Sequence, residues 1–134
     1  MVTSCVGPAR TDDAYRGKAA TTADHVRSSV ETAIIGLQAA DRHGLQSAYV
    51  STLLAEAEDD AAASDDTFAS IQPPSGRSDQ VRREARAVVG EAVDELAQLR
   101  ITSRRGDLSH LEPSVRRLQA LASALDRLAS SLRG

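Results

Sequence analysis

The 134-residue chain is short of cysteine and of aromatic residues: it has one cysteine, Cys5, and only Tyr15, Tyr49 and Phe68 are aromatic. A single cysteine excludes an internal disulfide and a cysteine-based metal cluster. So few aromatics argue against a β protein, because strands are enriched in aromatic and β-branched residues. The apolar residues make up 41% of the chain and are mostly Ala, Leu and Val. Since Ala and Leu favour helices, the composition predicts an all-helical domain.

Long apolar runs and a strong charge imbalance are also lacking. No apolar run approaches the roughly 18 residues that a transmembrane helix needs. The formal net charge of −3 is too small to imply a polyanionic or polycationic partner. The charge is unevenly spread, with 5 basic and 11 acidic residues in 1–70 against 11 basic and 8 acidic residues in 71–134. This pattern predicts a dipolar molecule that does not bind nucleic acid.

The sequence offers no catalytic or cofactor-binding motif. His25, His43 and His110 are far apart, and none belongs to an H-E-x-x-H pattern. No serine lies in G-x-S-x-G or S-x-x-K, and no glycine-rich phosphate loop is present. We therefore predict a protein that is not an enzyme and that holds no cofactor and no metal.

Four segments carry apolar residues at alternating spacings of three and four, which is the pattern of amphipathic helices. The first helix is predicted to begin near Thr11, an N-capping residue, and to end at Gly44, which suits a left-handed C-terminal cap. The second begins around residues 45–47 and ends at 71–76, where two prolines and a glycine break the pattern.

The third predicted helix opens at Ser75 or Ser78 and frays near residues 103–106, and the fourth begins near Glu112. Four such helices with short connections predict an all-α, antiparallel, up-down-up-down four-helix bundle. We place this bundle at residues 11–134 and a flexible N-terminal tether at residues 1–10. A three-helix arrangement, with the first helix continuing through Gly44, is the weaker alternative.

Two charged clusters flank the Pro73–Pro74 break. The acidic one comprises Glu56, Glu58, Asp59, Asp60, Asp65 and Asp66, and the basic one comprises Arg77, Arg82, Arg83 and Arg86. Both oppose the dipoles of their own helices, but they are neighbours across the hairpin and can form ion pairs there. The alternative is that the four arginines form a candidate interaction surface for an anion or a partner protein.

Cys5 lies in a short pattern that is typical of bacterial lipoproteins. Val2-Thr3-Ser4-Cys5 is an aliphatic residue followed by two small residues and a cysteine, as in a lipobox whose cysteine is lipidated. We therefore consider Cys5 a candidate lipidation site. Lipidation requires a charged and apolar signal segment before this box; with such a segment upstream of Met1 we expect an extracytoplasmic, membrane-tethered protein, and otherwise a cytoplasmic one.

Residues Thr3 to Tyr15, together with Phe68-Ala-Ser-Ile-Gln-Pro-Pro74, resemble small secreted or lipoprotein-like helical proteins of actinobacteria. The resemblance implies a helical fold and localisation at the cell envelope, and it implies no catalytic residue.

The leading hypothesis is a non-enzymatic, lipoprotein-like bundle that binds a protein or an envelope component. One alternative is a cytosolic assembly protein that forms a homodimer through the broad leucine face of the fourth helix, where Leu121 and Leu128 widen the apolar stripe. The other is a small-ligand sensor or carrier that holds an apolar guest between helices.

Overall fold

The computed structural model describes residues 8–44, 46–109 and 111–134, and across them the predicted four-helix bundle is confirmed. The helices are α1 (Asp12–His43), α2 (Ser47–Ala69), α3 (Gly76–Arg104) and α4 (Leu111–Arg133). Because each connection is short, consecutive helices run antiparallel to one another.

The helix ends follow the predicted capping chemistry. The Thr11 side chain accepts a hydrogen bond of 3.1 Å from the Ala14 N–H, which satisfies one orphan donor of α1. At the other end Gly44 adopts φ 59°, and its N–H donates to the Ala40 carbonyl. This left-handed conformation, which glycine adopts without steric cost, ends α1 and excludes the three-helix alternative.

The start of α3 distinguishes between the two predicted serines. Ser75 is the N-cap, and its hydroxyl accepts a hydrogen bond from the Arg77 N–H. Ser78 is instead buried, and its hydroxyl donates to the carboxylate of Asp12 at 2.6 Å. The Ser75 hydroxyl donates to the same Asp12 oxygen, also at 2.6 Å. These contacts fasten the first turn of α1 to the first turn of α3.

The core runs the length of the bundle and consists mainly of aliphatic side chains around one aromatic pair. The Tyr15 and Phe68 rings lie 5.2 Å apart between centroids and seal the end of the core where α1 begins. The other large, fully buried side chains are Leu37, Leu54, Leu96, Leu118, Leu125, Val26, Val30, Val50 and Val89. Ala9 is buried against this core, so packing begins before Thr11; residues 1–7 of the predicted tether lie outside the described residues.

The helices are not arranged as a regular square. α1 packs most extensively against α4, α2 packs most extensively against α3, and α1 and α3 also touch across the centre. Within the described residues no contact joins α2 to α4. This rhombic arrangement leaves the outer side of the α1–α2 pair uncovered by a third helix.

Candidate interaction surface

A surface groove of about 1140 Å³ lies between α1 and α2. It extends from Ala14 and Ile71 at one end to Thr32 and Leu53 at the other. At a rise of 1.5 Å per residue, the distance from Ala14 to Thr32 along α1 is about 27 Å. We name this feature the α1–α2 groove.

The groove exists because its lining side chains are small along most of its length. Large apolar side chains line it only near its ends, with Leu53 at one end and Phe68 and Ile71 at the other. Between them the lining is formed mainly by glycine, alanine, serine and threonine: Gly17, Thr21, Thr22, Ser28, Ser29, Ala57, Ala63, Ser64 and Thr67. Such side chains do not fill the space between two helices that are held apart by larger residues.

Five of the seven hydroxyl groups that line the groove donate hydrogen bonds within their own helices. Thr22, Ser29 and Thr32 donate to carbonyls four residues earlier in α1. Ser64 and Thr67 do the same in α2, at 3.0 and 2.8 Å. Because these donors are satisfied, the groove presents methyl groups and hydroxyl lone pairs, and it is less polar than its composition suggests.

Two exposed apolar side chains extend the same face beyond the groove. Ile35 is 65% exposed and Tyr49 is 58% exposed, which makes them the large hydrophobic residues with the greatest exposure in the described chain. Ile35 follows Thr32 by three residues and Tyr49 precedes Leu53 by four, so each lies one helical turn beyond a lining residue. The hydrophobic surface therefore continues towards the α1–α2 hairpin.

One rim of the groove is acidic, because α2 carries six acidic residues and no basic residue. Two of these acids are held by α3: Glu58 pairs with Arg100, and Asp65 pairs with Arg86 at 3.3 Å. The hydrogen bonds and charges of these carboxylates raise the pKa of both guanidinium groups.

The other four acids of α2 are Glu56, Asp59, Asp60 and Asp66, and all are exposed. Of these, Glu56 and Asp60 line the groove. Among the ion pairs of the described residues, none involves these four. Two acids without an ion pair in the described residues therefore lie along the α2 wall of the groove. On the α1 side Lys18 and His25 line the opposite wall.

The four arginines that the sequence suggests as an interaction surface do not act as one patch. Arg82 is half-buried and donates to the Ala69 and Ile71 carbonyls at 2.8 and 3.0 Å, so it caps the carboxyl end of α2. Arg86 forms the ion pair with Asp65 that the hairpin arrangement predicts. Arg77 and Arg83 are exposed. Two of the four side chains are thus engaged by their own chain.

A second depression, of about 650 Å³, lies where α1 and α3 begin and α4 ends. Two of its charged groups, Asp12 and Arg16, are engaged by serine hydroxyls and backbone carbonyls of the chain. Asp12 receives the two serine hydroxyls, whose hydrogen bonds, with the nearby Arg77 charge, lower the pKa of its carboxyl group. Arg16 donates to the Ser131 and Leu132 carbonyls at 3.0 and 3.2 Å, which caps α4. This end of the bundle is consolidated by contacts within the chain.

The remaining candidate residues are dispersed. His25 lines the groove and His43 is exposed in the last turn of α1, whereas the His110 side chain and Cys5 lie outside the described residues. Within the described part of the chain, no three His, Cys, Asp or Glu side chains converge on a possible metal position. Leu121 and Leu128 are half-buried and pack against the core, so most of their surface is already covered.

None of the helices in the described ranges is sufficiently long and apolar to cross a membrane. Sequence patterns could not locate the groove, because the small residues that line it look like ordinary helix positions; only the exposed Ile35 and Tyr49 depart from the amphipathic pattern. Comparisons with protein-family models, with curated proteins and with solved structures give no match for this chain.

Proposed function

We propose that this protein is a non-enzymatic binding module whose α1–α2 groove receives a helical segment of a partner protein. The observation that carries the proposal is the groove itself, with exposed Ile35 and Tyr49 at its margin. Buried small residues let helices approach closely, but here most of the small lining residues are accessible to solvent, so a third helix can approach α1 and α2. Proteins that bind a helix in a groove receive the apolar face of an amphipathic helix.

The groove is open on its outer side and runs along the helices, which suits an elongated ligand better than a compact one. A partner helix that follows α1 from Ala14 to Ile35 has about six turns available. Its apolar side chains would pack against the methyl groups of the threonines and alanines, and larger anchors would contact Tyr49 and Leu53. The partner would complete the side of the rhombic bundle that no helix of the chain covers.

Site-specific photocrosslinking in the native cell tests this function. A photoreactive amino acid replaces Ala63 in the groove, and the matched control replaces Ala87, an exposed alanine of α3. We expect a protein adduct from position 63 and none from position 87. Equal adducts from both positions, or none from position 63, would contradict the proposal.

We also propose that the module is extracytoplasmic and is tethered to the cell membrane through a lipidated Cys5. Its support is the Val2-Thr3-Ser4-Cys5 pattern and the Gly7-Pro8 stretch that follows. Expression of the full native gene with an alkyne-labelled fatty acid should label the protein, and Cys5→Ala should abolish the label. A soluble, unlabelled protein with a free thiol would place the same binding module in the cytoplasm.

A further inference from the structure

We infer that the partner segment is a basic amphipathic helix, with lysine or arginine residues flanking an apolar stripe. This inference rests on the proposed function and adds the chemistry of the ligand. Four observations carry it: the charge of α2, the position of its unpaired acids, the satisfied hydroxyls of the groove, and the two exposed apolar residues at its margin.

The charge of α2 disfavours anionic ligands. A helix with six acidic and no basic residues repels polyanions, so a nucleic acid or an anionic membrane surface would be disfavoured along this face. An acidic helix would be disfavoured for the same reason. A basic helix is attracted, because opposite charges across an interface accelerate encounter and fix the orientation of the partner.

Two acids that are available for pairing lie where a docked helix would present its flanks. Glu58 and Asp65 face α3 and are held by arginines, whereas Glu56 and Asp60 lie along the groove and are free of ion pairs within the described residues. They are four residues apart, so they share one face of α2. A partner that carries two basic residues one turn apart would match them.

The floor of the groove matches the apolar stripe of such a helix. Five of its seven threonine and serine hydroxyls donate to carbonyls of their own helices, so these side chains present methyl groups and hydroxyl lone pairs to a ligand. Ile35 and Tyr49 supply larger apolar contacts at one end. The site therefore combines an apolar track with one acidic rim, which is the complement of a basic amphipathic helix.

The test uses two synthetic peptides of about 20 residues, a length that matches the groove. Both carry leucines at heptad positions a and d, and they differ only in that one has lysines and the other glutamates at the flanking positions. Binding of each labelled peptide to the full chain is measured by fluorescence anisotropy at several salt concentrations. We expect the lysine peptide to bind at least tenfold more tightly than the glutamate peptide, and the difference to shrink as salt is added.

Paired charge variants locate the interaction. Glu56→Gln with Asp60→Asn should weaken the lysine peptide about three- to tenfold, since exposed pairs contribute modestly. The control is Glu91→Gln with Asp94→Asn, which removes two exposed acids of α3 and should leave affinity unchanged. Amide chemical shifts should change along residues 14–35 and 49–71 rather than along α4.

Each result is decisive. Equal affinity for the two peptides, equal effects of the two variant pairs, or shifts confined to other helices would overturn the inference, and so would failure of the lysine peptide to bind. If photocrosslinks still form from position 63 in those cases, a partner of other chemistry occupies the groove and the proposed function stands. Self-association of the chain through residue 63 would identify the occupant as a second copy and would also overturn the inference.

Discussion

Arg82 stabilises the fold and is not free to contact a partner. Its guanidinium group donates to two carbonyls at the end of α2, whereas the adjacent Arg83 is exposed. The two residues are chemically identical, and they differ only in the side of α3 on which their side chains lie. The pattern of arginines could therefore predict a cluster but could not say which member was engaged.

Arg82→Ala should destabilise the protein, because two carbonyls at the end of α2 lose a charged donor. Hydrogen bonds to charged groups contribute about 1.5–3 kcal/mol, and we expect a loss of the free energy of unfolding near the lower end of that range. Arg83→Ala is the matched control and should change it by less than about 0.5 kcal/mol. Urea unfolding of the two variants measures the difference, and equal stabilities would contradict the structural role of Arg82.

Tyr15 is fully buried, and its environment sets an alkaline limit on stability. Burial raises the pKa of its phenol above the ordinary value of 10.0, and the nearby Arg82 opposes this only in part. A raised pKa in the folded state means that the neutral phenol favours folding at every pH below 10.0. That contribution is lost as the pH rises through the raised pKa.

The phenol prediction is measured in a Tyr49→Phe variant, in which Tyr15 is the only tyrosine. Ultraviolet titration of tyrosinate should give a midpoint above 10.0, accompanied by loss of helical circular dichroism. The same variant in concentrated urea should titrate at the ordinary value. A folded-state midpoint at or below 10.0 would show that the phenol is not buried.

At the scale of elements, the α1–α2 contact depends on one glycine. A Cβ atom added at Gly36 would lie 3.3 Å from the Cγ atom of Leu53 and closer still to both of its methyl carbons. α2 therefore approaches α1 closely near the hairpin, where Leu53 covers Gly36. Gly90 in α3 has no such neighbour, since nothing lies within 4 Å of an added Cβ.

Gly90→Ala should stabilise the protein by about 0.5–1 kcal/mol, because alanine favours the helix over glycine. Gly36→Ala should lose this gain and become destabilising, since displacement of Leu53 by overpacking typically costs about 1–3 kcal/mol. Thermal unfolding of the pair measures the contrast. Equal stabilisation by both substitutions would mean that α2 does not pack on Gly36.

Helix existence and most helix ends were predictable because they depend on local chemistry. Thr11, Gly44 and the Pro73–Pro74 break act through backbone hydrogen bonds and dihedral angles near their own positions. The orientation of α3 was less predictable: Val89 is fully buried while Val88 is half-buried, although both valines fit the three- and four-residue spacing between Ala85 and Ala92. Which of two adjacent valines is buried depends on where the partner helices lie, and this information is not local.

Over the whole molecule, the groove could not be predicted from the sequence, because it arises from the placement of helices rather than from a motif. Alanine in the middle of α2 predicts close approach of a neighbouring helix, and Ala57 and Ala61 are indeed buried. Ala63 and Ser64 are instead on the groove side, where no helix of the chain covers them. Small residues of α2 therefore pack into the core on one side of the helix and leave an open surface on the other side.

Across the bundle, the α2 acids that are paired with arginines and the α2 acids that line the groove lie on different faces of the helix. Cations of α3 and α4 are paired with acids in several places, among them Arg100 with Glu58 and Arg117 with Glu95. Of the exposed acids of α2 that lack such pairs, Glu56 and Asp60 line the open groove. A basic ligand would therefore approach the face where apolar surface is also available.

A comparison of Ala63→Trp with Ala87→Trp tests whether the α1–α2 groove is the binding surface. Both alanines are exposed in the interior of a helix, so each substitution should change the free energy of unfolding by less than about 0.5 kcal/mol. Only the tryptophan at position 63 occupies the groove. We expect Ala63→Trp to lose at least tenfold in affinity for the lysine peptide and Ala87→Trp to keep its affinity. Equal affinities of the two folded variants would contradict binding in the α1–α2 groove.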